Sequence, residues 1–178
     1  MDSINKNKPE KNHKDLQDAE AAKRITEMVK QAKSCFFCTA EAKGQSMGVR
    51  PMSIQKADDN GTLWFLSASD SHKNAEIAKD GAVRLYFQGS AHADFLYLIG
   101  HASISEDKAT IHELWEPVLK TWFTEGEKDP RISVIKFEPE EGYYWDNKHG
   151  NAVAAVKMLW GAITGITSDD SIEGKVKM

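Results

Sequence analysis

Arg50-Pro51-Met52, Asp58-Asp59-Asn60-Gly61, Leu63-Trp64-Phe65-Leu66-Ser67 and Ser69-Asp70-Ser71-His72-Lys73 are four pieces of one continuous stretch, and together they decide the fold. Asn-Gly is the pair that best supplies the backbone of a type I′ hairpin turn. It separates an alternating segment, Gly48 to Lys56, from the apolar run Leu63 to Leu66. Two adjacent antiparallel strands follow. The second ends where a short helix begins, over Asp70 to Lys79, with Asp70 or Ser71 as N-cap. His72 and Lys73 then stand in the first helical turn, where cations oppose the macrodipole. A local rule broken in this way points to a compensating ligand, and an anion such as phosphate suits a helix start. Because the hairpin sets the two segments side by side, Arg50 and Lys73 can converge on one such anion.

Outward from this stretch the pattern stays mostly β. Cys35 to Ala40 is an aromatic-rich strand, and Lys43-Gly44-Gln45 a turn. Val83, Leu85 and Phe87 alternate with polar neighbours. Asp94 to Ser105 is a longer strand, and Arg131 to Phe137 and Gly142 to Asn147 are two closing ones, with Glu138 to Glu141 a solvated turn around Pro139. Helical spacing marks Asp15 to Lys33, through Ile25, Met28, Val29 and Ala32, with Glu20 placed to pair with Arg24. It returns over Glu106 to Phe123, where Pro117 should split the segment, and around Ala152 to Ile163. About seven short strands joined by tight turns predict a mainly β chain with helices (α+β), its antiparallel sheet closed into a split barrel. The organisation expected is a disordered tail over 1–14, one domain over 15–165 and a C-terminal tail over 166–178.

Bulk properties narrow the function classes. The chain has 178 residues and a formal charge of −4, which suits one domain and argues against non-specific nucleic-acid binding. Its start is polar and lysine-rich, unlike a secretory leader. The longest apolar stretch, Ala152 to Gly165, falls short of the roughly 20 residues of a membrane span. A cytoplasmic protein is the expectation. Cys35 and Cys38 form a lone CxxC inside a strand, without the further ligands a zinc site needs, and are expected as buried free thiols. His92, His101, His112 and His149 lack metal spacing, and no nucleophile–base pair or phosphate-binding glycine loop is present. Trp115 and Trp122, at helical spacing, are expected in core or dimer packing.

Arg50-Pro51-Met52, the strand Trp64-Phe65-Leu66-Ser67 and Ser69-x-Ser71-His72-Lys73-x-x-x-Ile77 resemble the FMN-binding split barrel of the pyridoxamine 5′-phosphate oxidase relatives. Trp115, Trp122-Phe123, Gly126-x-x-Asp129-Pro130 and Gly142-Tyr143-Tyr144-Trp145 are similar to its bacterial general stress protein branch. The likeness spans Ile25 to Trp145. It implies a homodimer with two flavin sites at the subunit interface, FMN being the expected cofactor and FAD the alternative. Carried over, Arg50, Pro51 and Met52 border the flavin, Leu66 and Ser67 present backbone or hydroxyl groups to it, and Ser71, His72 and Lys73 grip phosphate. His72 can serve as a protonated phosphate ligand or simply cap and pack. Trp145 reaches the partner's flavin.

The resemblance implies an FMN-dependent oxidoreductase or flavin reductase of unspecified substrate. His72-Lys73 stands where the oxidase proper carries Arg-Lys, and that enzyme's substrate-binding Arg-Leu-His stretch is missing. Pyridoxamine phosphate is thus not the expected substrate. Two other readings remain open on the residues: a flavin-binding or flavin-buffering protein without catalysis, and a barrel dimer holding F420, haem or pyridoxal phosphate.

Overall fold

The computed structural model describes residues 12–39, 48–90, 94–147 and 171–178. Its strands are β1 (Leu16–Gln17), β2 (Ser34–Thr39), β3 (Val49–Ser53), β4 (Lys56–Ala57), β5 (Leu63–Ala68), β6 (Ala82–Gln88), β7 (Phe95–Ser105), β8 (Ile132–Asn147) and β9 (Ser171–Lys177). Among the described residues three α-helices accompany them: α1 (Asp18–Ala32), α2 (His72–Lys79) and α3 (Lys108–Leu114). The strands form one mixed sheet in the order β1-β9-β8-β7-β6-β2-β3, with β5 joined to β8 and β4 to β5. All pairings are antiparallel except β1 with β9.

The ladder does not close on itself. Continuous chain bridges the gap instead: β3 pairs with β2, then runs through Ile54 and Gln55 into β4, which pairs with β5. Ile54 donates its N–H to the Lys33 carbonyl and Gln55 to that of Trp64.

The hairpin between β4 and β5 forms where Asn60-Gly61 predicts it, with a different turn. Gly61 N–H bonds the Asp58 carbonyl at 2.9 Å, and Asp58 N–H bonds that of Thr62 at 2.9 Å. Within the turn only Gly61 has positive φ, at +84°, so this is a four-residue turn followed by a left-handed glycine and not type I′. Gly61→Ala should therefore destabilise the fold by about 1–2 kcal/mol, the cost of a Cβ in that region. The urea midpoint of unfolding reads it.

Two strands expected at Arg131–Phe137 and Gly142–Asn147 are one strand, β8. Opposite β7, residue 99 pairs with 141 and residue 100 with 139, so Glu140 is an extra residue in a bulge. Pro139 is tolerated at this irregularity, where the ladder is already interrupted. The glutamates around it are strand residues, not a solvated turn. Gly100 allows the close approach: a Cβ there would lie 2.1 Å from the Glu138 carbonyl oxygen. At the bulge β8 changes partners, pairing with β5 over Ile132–Phe137 and with β9 over Glu141–Asn147. That exchange splits the barrel.

The main core lies inside the sheet and under α1, where Ile25, Met28 and Val29 meet Phe37, Phe65, Leu85 and Phe137. Phe37 and Phe65 pack edge to face with centroids 5.4 Å apart. A second core joins Ile111, Leu114, Leu119 and Phe123 to Leu66, Ile132 and Val134. Pro117 splits that helical segment as expected, opening a 3₁₀ turn over Pro117–Thr121. Trp115 packs against the second core, whereas Trp122 is 64% exposed.

Other expectations shift. Arg24 pairs with Asp146 at 2.5 Å, and Glu20 with Lys14, because the sheet presents a carboxylate that α1 itself does not need to supply. Lys14 also donates its N–H to the Glu173 carbonyl at 2.9 Å, so the end of the expected N-terminal tail joins the sheet. The expected C-terminal tail contributes β9, between β1 and β8 in the strand order. Cys35 and Cys38 are buried free thiols. The turn at Lys43–Gln45, the helix around Ala152–Ile163, and His92 and His149 lie outside the described residues. Among the described residues no helix is long and apolar enough to cross a membrane.

Candidate functional site

Ser71 is the N-cap of α2, its hydroxyl accepting the Asn74 N–H at 3.3 Å. The cap aims the first turn of α2 at the end of β5, where Ser67 faces Ser133 across the β5–β8 ladder. Asn74 ties the three serines together. Its Oδ1 accepts the hydroxyls of Ser67 at 2.7 Å and Ser71 at 3.1 Å, and its Nδ2 donates to Ser133 Oγ at 2.7 Å. Ser133 in turn donates to the Ser67 carbonyl at 2.9 Å. With their protons committed to Asn74, Ser67 and Ser71 turn lone pairs towards the Lys73 ammonium, which donates to both.

Lys73 is only 8% exposed. Among the described residues no carboxylate forms an ion pair with it. Burial, then the nearby Arg50 charge, hold its ammonium down to about 8, with Glu76 pulling the other way. A buried cation held on hydroxyls alone is an electrostatic deficit that an anion would fill.

Beside it stands an ion pair. Both terminal nitrogens of Arg50 donate to Glu76 Oε2, at 2.8 and 2.7 Å, and Thr39 Oγ1 donates to the same oxygen at 2.6 Å. Burial opposes the charge on Glu76, but the Thr39 and Arg50 bonds keep its carboxyl below the ordinary value. Gly48 makes room for the pair, since a Cβ there would fall 1.8 Å from Arg50 Nη2.

Alternation along β3 sends Pro51 to the opposite face from Arg50 and Met52. Arg50 and Met52 oppose Phe37 and Cys35, and Met52 packs on the main core. Pro51 opposes Phe36 and opens a cross-strand row that runs Pro51, Phe36, Tyr86, Tyr97, Tyr143 over five strands. Tyr86 and Tyr97 stack with centroids 4.9 Å apart. Phe36 is 58% exposed, and Tyr86 and Trp145 are also exposed. A groove of about 590 Å³ lies along this face, bordered by Phe36, Pro51, Tyr86 and Trp145 and floored partly by Cys35. Its volume is in the range of small-molecule sites. Burial pushes the Cys35 thiol up, which removes it as a nucleophile.

Of the residues singled out in the sequence, Arg50, Ser67, Ser71 and Lys73 come together, while Pro51 and Trp145 share the groove. Leu66 turns its side chain into the second core, leaving only its backbone for a ligand. His72 is exposed on α2, outside the hydroxyl cluster. Sequence reasoning missed Asn74, Ser133, Thr39 and Glu76. Glu76 was visible as a carboxylate one helical turn beyond His72. Ser133 and Thr39 are far away in sequence, and only the ladder brings them in. Phe36 and Tyr86 were legible as strand residues but not as exposed ones.

The pH response of Lys73 follows from its environment. An unfolded lysine titrates near 10.4, so the folded state gives up this proton first. Stability of the ligand-free protein should therefore rise as pH climbs from about 8 to about 10.4. A thermal-melt series against Lys73→Met, which lacks the group and should lack the rise, checks it. Binding of an anion at Lys73 should run the other way, flat below about pH 7 and weakening through pH 8.

Residues 20–169 match the family model described as pyridoxamine 5′-phosphate oxidase like. Protein bli-3 of Neurospora crassa is 25% identical over 142 residues, 75% of this chain and 68% of that one. Among solved structures, general stress protein 26 from Jannaschia sp. CCS1 superposes with a TM-score of 0.68 at 23% identity, covering 87% of this chain and 96% of its own. A general stress FMN/FAD binding protein from Xanthomonas citri gives 0.59 at 21% identity, covering 69% and 86%. At these identities the two structures establish the split-barrel fold.

Proposed function

Because the chain belongs to the pyridoxamine 5′-phosphate oxidase-like family, we propose that it is a flavin-binding protein of the general stress type that holds FMN. The observation that carries this reading is the buried Lys73 ammonium, held on Ser67 and Ser71 with no carboxylate paired to it among the described residues. FMN ends in a phosphate, and a closed, buried cation suits a terminal group. FAD would have to continue past it. Arg50 and Pro51 are consecutive on β3, the end of the strand path. A ligand crossing over the edge at β3 would meet the basic cluster on one face and the aromatic groove, bordered by Pro51, on the other. Bound there, the flavin would supply hydride or electron transfer at its ring. The residues of this chain would anchor the phosphate, exclude water from one ring face and orient the ring.

The exposed row of Phe36, Tyr86 and Trp145 supports a homodimer that covers this face, with Trp145 available to the partner's flavin. Activity as an oxidoreductase or flavin reductase in the cytoplasm is the reading we favour. A second reading, flavin binding without turnover, rests on the groove lining, which among the described residues includes no carboxylate, histidine or lysine. Titrating the purified protein with FMN and following flavin fluorescence tests the binding. Saturable quenching is expected, and a protein indifferent to FMN and FAD overturns the proposal. Oxidation of NAD(P)H by the flavin-loaded protein then separates the two readings.

A further inference from the structure

Glu76 occupies the place of a counter-anion inside the phosphate end of the site. Its Oε2 gathers three donors, two from Arg50 and one from Thr39. Arg50 is therefore already spoken for, and among the described residues Lys73 has hydroxyl partners only. The three charges feel one another: Arg50 lowers and Glu76 raises the proton affinity of Lys73. Two cations and one carboxylate leave the ligand one net positive charge.

We propose that Glu76 is a specificity-determining residue that sets how strongly the site distinguishes a doubly charged terminal phosphate from a singly charged phosphodiester. The proposal rests on the flavin reading above and deepens it. A terminal phosphate carries about 1.5–2 negative charges at neutral pH, whereas each phosphate of the FAD pyrophosphate carries about one. With Arg50 neutralised by Glu76, the extra charge of the monoester gains little. Removing the carboxylate frees Arg50 to act with Lys73, and the gain goes to the ligand with more charge. Removing one charge from a partly exposed cluster of this kind changes the affinity of a charged ligand by about tenfold, and salt trims the effect.

Glu76→Gln tests this, because the amide keeps an acceptor for Arg50 and Thr39 but removes the charge. Dissociation constants for FMN, FAD and riboflavin are measured at low and at physiological salt, with Glu76→Ala as the second variant. The expected result is FMN bound about tenfold more tightly by Glu76→Gln, FAD tightened less, riboflavin unchanged and a steeper salt dependence for FMN. Equal weakening of all three flavins in both variants would make Glu76 a mere brace for Arg50 and overturn the proposal. So would affinities that do not change. A wild-type protein that binds none of the three fails the flavin reading itself, and is told apart by the unmodified chain alone.

Discussion

Lys73→Met should weaken FMN binding by about 10- to 150-fold while leaving the ligand-free fold as stable as before, or more so. The two halves of this expectation have one cause. A hydrogen bond to a charged group contributes about 1.5–3 kcal/mol, and the ammonium would make such bonds to a phosphate placed at Ser67 and Ser71. Without the phosphate the same ammonium is buried on two hydroxyls and kept from a carboxylate. Its desolvation then opposes folding, as the lowered proton affinity records. Methionine fills the volume of the stem without the charge, and Ser67 and Ser71 keep Asn74 as partner. Riboflavin is the control, since it lacks the phosphate and should bind both proteins alike. An FMN affinity that survives the substitution removes Lys73 from the site. A large fall in melting temperature would show that the serine network depends on the ammonium for its geometry.

The residues in that prediction were legible in the sequence for a local reason. Ser71, His72 and Lys73 sit at a strand-to-helix junction, and junctions are written in nearest-neighbour chemistry: a hydroxyl cap and a broken charge preference. Arg50 was expected beside them on a strand paired through the hairpin, but β3 pairs with β2 and only the short β4 pairs with β5. The hairpin itself was legible, but its turn type was not, because Asn-Gly also fits a turn in which only the glycine is left-handed. Long-range partners were illegible. Ser133 enters because β8 pairs with β5, and β8 looked like two strands because Pro139 and its glutamates read as a turn. A bulge that absorbs a proline costs one extra residue, Glu140, and nothing in the local pattern distinguishes it from a loop. Glu76 was missed for another reason: on a short polar helix a carboxylate carries no local mark, and its partners Arg50 and Thr39 come from the sheet.

The aromatic face separates fold from assembly most clearly. Phe36 is more than half exposed in the row Pro51, Phe36, Tyr86, Tyr97, Tyr143, and that row crosses five strands without a charged side chain. Exposed apolar surface this continuous marks an interaction site. Phe36→Asp should therefore change the stability of an isolated subunit by no more than about 0.5 kcal/mol, the usual range for a surface substitution. Its effect on a dimer is of another order. Burying an unpaired carboxylate among aromatic rings removes an anchor and adds a desolvation penalty, and anchors of this kind carry at least about 2 kcal/mol of binding. Dissociation should rise at least about 30-fold, seen as a shift from two-subunit to one-subunit mass in sedimentation equilibrium. Flavin affinity should fall with it, since Pro51 and Trp145 border the groove on the same face. A variant that keeps the wild-type mass would place the subunit contact elsewhere. Loss of flavin without loss of mass would make the row a wall of the ligand site and not an interface.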